Sequence, residues 1–129
     1  DDAGLSWTSI AEGLPSDFGF FVLASPRTPG TAWVMPLVAD EQRFPVDGRM
    51  RVHRTRDGGS TWEERGPGLP DDVWTVVLRD AACVDLAEPT GVYLGTRDGC
   101  VYASTDEGDT YALLADHLPD VLSVRAAEV

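Results

Sequence analysis

Lysine and asparagine are missing from this chain, and histidine and cysteine are scarce, with two of each. All ten positive charges are arginine, against 22 Asp and Glu, for a formal net charge of −12. Nucleic-acid binding proceeds by neutralising phosphates with Lys and Arg, so that partner is not expected. Anionic membrane surfaces are disfavoured for the same reason. No apolar run approaches the roughly 20 residues that cross a bilayer, so no membrane partner is expected either. The all-arginine usage reads as codon bias, with arginine-led recognition of an acidic group as the alternative. Two cysteines, Cys83 and Cys100, do not make a disulfide framework. They could pair within one sheet; we read them as free, buried thiols. No segment has a helical period.

What the chain has instead is turns and a repeat. Thirteen glycines and nine prolines suit a turn-rich, all-β protein, and 129 residues suit one domain at most. The stretch Asp57-Gly58-Gly59-Ser60-Thr61-Trp62, followed by Leu69-Pro70, occurs three times. Its copies start at Asp2 (with Gly4, Ser6, Trp7, then Leu14-Pro15) and at Asp106 (with Gly108, Thr110, Tyr111, then Leu118-Pro119). The aromatic always falls five residues after the aspartate and the Leu-Pro pair begins twelve after it; the copies lie 55 and 49 residues apart. A period of that size marks a repeat architecture. Each copy reads as a tight turn between strands. The aspartate accepts backbone N–H bonds, Gly59 takes positive φ, and Trp62 starts a strand as a large apolar anchor. Trp62→Ala is accordingly expected to cost about 3–5 kcal/mol.

Asp-x-Gly-x-Ser/Thr-aromatic, with Thr55 or Ser104 two residues before the aspartate, resembles the Asp-box, or BNR repeat, of sialidase-like and sortilin-like β-propellers. The wider chain is similar to the C-terminal part of bacterial BNR-repeat, glycosyl-hydrolase-like proteins. The similarity is carried by residues 49–57, 91–99 and 118–125. It implies a structural role for the box, at the turn between the third and fourth strands of each blade. It also implies a ligand-bearing face at the opposite end from the boxes.

The expected plan is therefore an all-β, partial β-propeller: about two complete four-stranded antiparallel blades plus an orphan strand at each end. Residues 1–16 supply an outer strand and box remnant, 17–67 a blade, 68–116 a second blade, and 117–129 the inner strand of a following blade. Within it, strands are expected at 5–12, 17–26, 31–39, 49–56, 61–65, 73–78, 92–96, 100–104, 111–115 and 121–127. A bulge, or a position whose N–H needs no partner, is expected at Pro36, and a hairpin turn at Asp47-Gly48. Residues 80–90 read as a long connection. A chain opening inside a box points to a piece of a longer propeller. The expected partners are thus missing blades or copies of itself, with a carbohydrate as possible ligand.

Loop parity puts Asp17, Asp40, Glu41, Arg43, Asp47, Arg49, Asp71, Asp72, Arg97, Asp98, His117 and Asp120 at the ligand-bearing end. The binding candidates are Asp40, Glu41, Arg43, Asp47 and Arg49, because the 40–49 loop is the longest there. Glycosidases need two carboxylates in opposed roles, and an arginine can hold an acidic group bidentately. A solvated acidic loop is the plainer reading. The sialidase Arg-Ile-Pro motif is absent, and Tyr93, Tyr102 and Tyr111 read as packing positions, so no catalytic residue is assigned. His53 and His117 lack partners at metal-ligand spacing. Asp80, Asp85 and Glu88 match no calcium loop. No metal or cofactor is expected.

Overall fold

The computed structural model describes residues 3–127. Eight strands form two four-stranded antiparallel sheets, each a meander in chain order and neither closed into a barrel. The first sheet holds β1 (Val22–Ala24), β2 (Ala32–Val34), β3 (Val52–Thr55) and β4 (Glu63–Arg65). The second holds β5 (Val77–Val84), β6 (Val92–Thr96), β7 (Val101–Ser104) and β8 (Ala112–Ala115). This is the all-β, partial-propeller plan that the repeat predicts, with β1 packed beside β5.

Alternation of side chains along each strand stacks the sheets. Trp33 on β2 and Val52 on β3 are fully buried. They join Met35, Leu37 and Met50, and meet Val77, Leu94, Tyr102 and Tyr111 in one continuous core. A polar clamp closes the same interface. Glu107 O accepts from Trp33 Nε1 at 2.8 Å and from Arg54 Nη1 at 2.9 Å. The buried Arg54 also pairs with Glu63 at 3.1 Å and with Asp109 at 3.0 Å, which compensates its lost hydration.

The repeated turn has the same hydrogen bonds twice. Thr55 Oγ1 donates to Asp57 Oδ1 (2.8 Å) and accepts from Gly59 N (2.8 Å); Asp57 then accepts from Thr61 N (2.8 Å) and Thr61 Oγ1 (2.7 Å). Ser104, Asp106, Gly108 and Thr110 repeat this ring at 2.6–2.9 Å. The pairs Ala3–Gly4, Gly58–Gly59 and Glu107–Gly108 all take positive φ, so the backbone turn recurs in all three copies. Asp2 lies outside the described residues. Hydrogen bonds from Thr61 and Thr55 hold the exposed Asp57 carboxyl at about 2, against an ordinary 3.8. Partial burial acts to raise the Asp106 carboxyl, but bonds from Ser104 and Thr110 outweigh it and lower it. Both contributions are full above the unfolded carboxyl range and are lost as pH falls through the folded one. Stability should therefore drop as pH falls from about 4 to 2. In denaturant titrations at the two pH values, Asp57→Asn should show a smaller drop than the wild type; an equal drop would mean that the ring does not bind the carboxylate form.

Several expectations shift. Pairing slips by one residue between Val22↔Val34 and Phe18↔Leu37, which is the bulge expected at Pro36. Asp47 and Gly48 both take positive φ in a tight turn at Val46–Gly48, but no paired strands flank it, so it is a turn and not the hairpin expected there; the chain reverses instead at 38–44, where Leu37 bridges Pro45. Residues 80–84 are strand rather than connection, and β5 starts at Val77 instead of Val73. A bulge between Val77 and Ala82 leaves Arg79 and Asp80 exposed, which gave that stretch the polarity of a loop. Neither flanking segment is a strand: residues 5–12 and 121–127 belong to no ladder. The second of them does run beside the other sheet, with Val121 N donating to Thr96 O at 3.1 Å and Val124 N to Asp80 O at 2.9 Å. The β5 bulge breaks the regular spacing that further pairing would need there.

The aromatics of the repeat also differ. Tyr111 is buried, Trp62 is half-buried and Trp7 is 90% exposed. Each packs backwards, onto whatever precedes it. Tyr111 meets a whole sheet; Trp62 has the 5–12 segment, donating from Nε1 to Ile10 O at 2.7 Å; Trp7 donates from Nε1 within its own turn, to Gly4 O. The large loss expected for Trp62→Ala therefore moves to Trp33.

Candidate functional site

A concavity of about 600 Å³ opens at the end opposite the repeated turns. Arg43, Asp72, Arg97, Asp98 and Asp120 line it, all of them residues that loop parity assigns to that end. Asp72 takes a left-handed backbone (φ 56) after the Leu69-Pro70 turn, which throws Val73 and Trp74 onto the rim before β5 begins. Trp74 is 73% exposed, with its ring braced edge-on by Phe44 at 4.9 Å between centroids. An aromatic held open by a neighbouring ring is a platform rather than a core residue.

Charges around the platform are ordered by mutual contacts. Asp120 accepts from Arg97 Nε at 3.0 Å and from Nη2 at 2.7 Å. Asp98 accepts from Thr75 Oγ1 at 3.1 Å and from Thr96 Oγ1. Thr96 Oγ1 in turn accepts from Cys100 N at 3.0 Å, so the 97–99 turn is fixed by the same Thr-x-Asp logic as the repeated turns. Arg43 pairs with Asp40 at 2.7 Å and lies 5.3 Å above the Phe20 ring. The cleft thus has one flat apolar surface flanked by two guanidinium groups and three carboxylates.

The five binding candidates do not converge. Arg43 lines the cleft, with Asp40 holding it. Asp47 and Arg49 face a separate, smaller hollow with Pro15, Arg51, His53 and Glu64. Arg49 there sits 3.5 Å from both Glu64 and Asp71. Glu41 is exposed on the loop. The sequence reasoning missed Trp74, because a strand over 73–78 made it a packing residue. The preceding Asp71-Asp72 was the available signal, since two exposed carboxylates mark the chain as still outside the sheet.

The remaining candidates have structural surroundings. Burial lowers the His53 pKa, with Glu64 opposing, and its Nδ1 has no partner. His117 is exposed, and the hydrogen bond and charge of Asp116, 3.0 Å away, raise its pKa. Asp85 accepts from Ala87 N, Gly91 N and Tyr93 Oη at 2.7–3.0 Å, which occupies both its oxygens, while Asp80 pairs with Arg125. Among the described residues no three His, Cys, Asp or Glu side chains come together as a metal site. Tyr102 and Tyr111 are buried, and Tyr93 is half-buried. Cys83 and Cys100 are free thiols, half-buried; burial raises the Cys83 pKa. No helix among the described residues is long and apolar enough to cross a membrane. The sequence matches no protein-family model and no curated protein.

Proposed function

We propose that this chain is a binding module of an Asp-box, BNR-repeat, sialidase-like propeller, and that the Trp74 cleft takes a carbohydrate. The observation that supports the family is the hydrogen-bonded ring of Thr55-Asp57-Gly59-Thr61, repeated at Ser104-Asp106-Gly108-Thr110. Such a ring serves the turn and has no free group for chemistry, so the box is structural and function belongs to the other end. There, the indole face suits the C–H face of a sugar. Arg43, Arg97 and the carboxylates suit its hydroxyls or an acidic substituent.

Titration with a panel of neutral and acidic oligosaccharides, followed by tryptophan fluorescence, tests this. Trp74→Ala should weaken binding at least about tenfold, a loss of roughly 1.4 kcal/mol. Its melting temperature should stay within a degree or two, because the ring is exposed. Binding indifferent to Trp74, or no binding across the panel, overturns the carbohydrate assignment.

One observation favours a second reading, a glycoside hydrolase completed by further blades: Asp72, Asp98 and Asp120 line one cleft. That reading requires turnover of a glycan that falls by about 10²-fold or more on Asp→Asn substitution at one of the three.

A further inference from the structure

The third and fourth strands of the two sheets, with the turns between them, are related by a shift of 49 residues: Thr55 corresponds to Ser104, and the two rings repeat bond for bond. Each position on β3, β4 and their turn therefore has a counterpart on β7, β8 and theirs. Where the third repeated turn meets the first sheet, the inner interface is charged. Arg54 and Arg65 meet Glu107 and Asp109 of that turn, with Arg65 Nε 3.1 Å from Asp109, and Glu63 pairs with both arginines. On the second sheet the residues 49 further on from Arg54, Glu63 and Arg65 are the buried Ala103 and the exposed Ala112 and Leu114, with β8 slipping one residue against β7 so that Ala115 pairs with Val101 as Arg65 pairs with Val52. Leu114 is 61% exposed.

The first repeated turn changes in the same direction. Where the third has Glu107, Asp109 and Tyr111, the first has Ala3, Leu5 and Trp7. Its backbone holds the same shape, with Ala3 and Gly4 at positive φ. Leu5 is 89% exposed and Trp7 is nearly bare. A charged turn thus meets a charged face inside the chain. An apolar turn of the same shape and an apolar face on the corresponding strands, one residue out of register at the end of β8, are both exposed.

We propose that copies of this chain associate head to tail, with the turn around Leu5 and Trp7 of one copy docked on Ala103, Ala112 and Leu114 of the next. The contact repeats the inner interface with its ion pairs replaced by apolar ones. It is heterologous, so it propagates into a ring or an open filament. In the segment 117–127, Val121 and Val124 lie over Gly95 of β6, whereas the proposed contact is on β7 and β8. The inference uses the repeat relation between the sheets and stands apart from any ligand of the cleft.

Light scattering on a sizing column over a range of concentrations reads the association directly. Wild type should show concentration-dependent growth beyond the monomer. Leu5→Asp and Leu114→Arg, both at exposed positions, should each fold as wild type and each shift the association midpoint by about tenfold or more, by placing an unpaired charge in an apolar contact. Mixing the two variants should restore association. The carboxylate introduced on the turn of one variant then meets the guanidinium introduced on the sheet face of the other, an ion pair of the same kind as Arg65–Asp109. Wild type that remains monomeric overturns the proposal. So does association that survives both single substitutions, or a mixture that fails to recover; in those cases something other than a second copy covers the apolar face.

Discussion

Trp33→Ala should destabilise the fold by about 3–5 kcal/mol, the range for removing a fully buried large aromatic. The indole is 0% exposed and stands between the sheets. Its loss opens a cavity, and it also removes one of the two donors to Glu107 O. Two comparisons separate these effects. Trp33→Phe keeps most of the ring and leaves Arg54 bonded to Glu107 O, so its extra cost for the lost N–H should be about 1 kcal/mol. Trp7→Ala removes the same side chain from a bare surface and should stay within about 0.5 kcal/mol, measured on the monomer at low concentration. Urea denaturation of the three variants gives the ranking. A loss below about 1 kcal/mol for Trp33→Ala would mean that the sheets do not pack through β2.

Gly68→Ala should be nearly as damaging, for a different reason. Gly68 has φ +88, and a Cβ there would collide with the carbonyl oxygen of Tyr111. That oxygen belongs to the backbone and cannot rotate away. Pro67 O also accepts from Tyr111 N at 2.8 Å, so the two chain segments are tied at this point. The substitution combines a left-handed conformation, worth about 1–2 kcal/mol, with forced separation of packed backbone, worth about 1–3 kcal/mol. Gly13 is the internal control. It occupies the corresponding place in the first repeat, with φ +88, but nothing lies within 4 Å of its Cβ position. Gly13→Ala should show the backbone cost alone, and thermal or urea unfolding of the two variants gives the difference. Equal effects at the two positions would show that the close approach of the sheets at Tyr111 contributes nothing.

The repeat turns were legible because their physics is local. Thr55, Asp57, Gly59 and Thr61 bond to one another across at most four residues, and spacing alone sets those bonds. Two further turns followed from the same locality. Asp47-Gly48 and Arg97-Asp98-Gly99 are turns in sequence and turns in space. β6, at Val92–Thr96, lies between two such signals and was placed without error. β5 was not, because its bulge puts Arg79 and Asp80 into solvent in mid-strand and so mimics a loop.

Burial of the aromatics is a different kind of property. Trp7, Trp62 and Tyr111 hold one place in the repeat, yet only Tyr111 is buried, because only Tyr111 has a complete sheet behind it. Nothing within a few residues of each aromatic records what lies behind it. The cleft is non-local in the same way: Arg43, Trp74, Arg97 and Asp120 come from four separate loops and share a wall only when the sheets stack. The sequence by itself determined the turns, the two four-stranded units and the all-β class, since these depend on neighbours in the chain. The tertiary structure alone decided which repeats are covered and where a ligand can sit, since burial depends on neighbours in space.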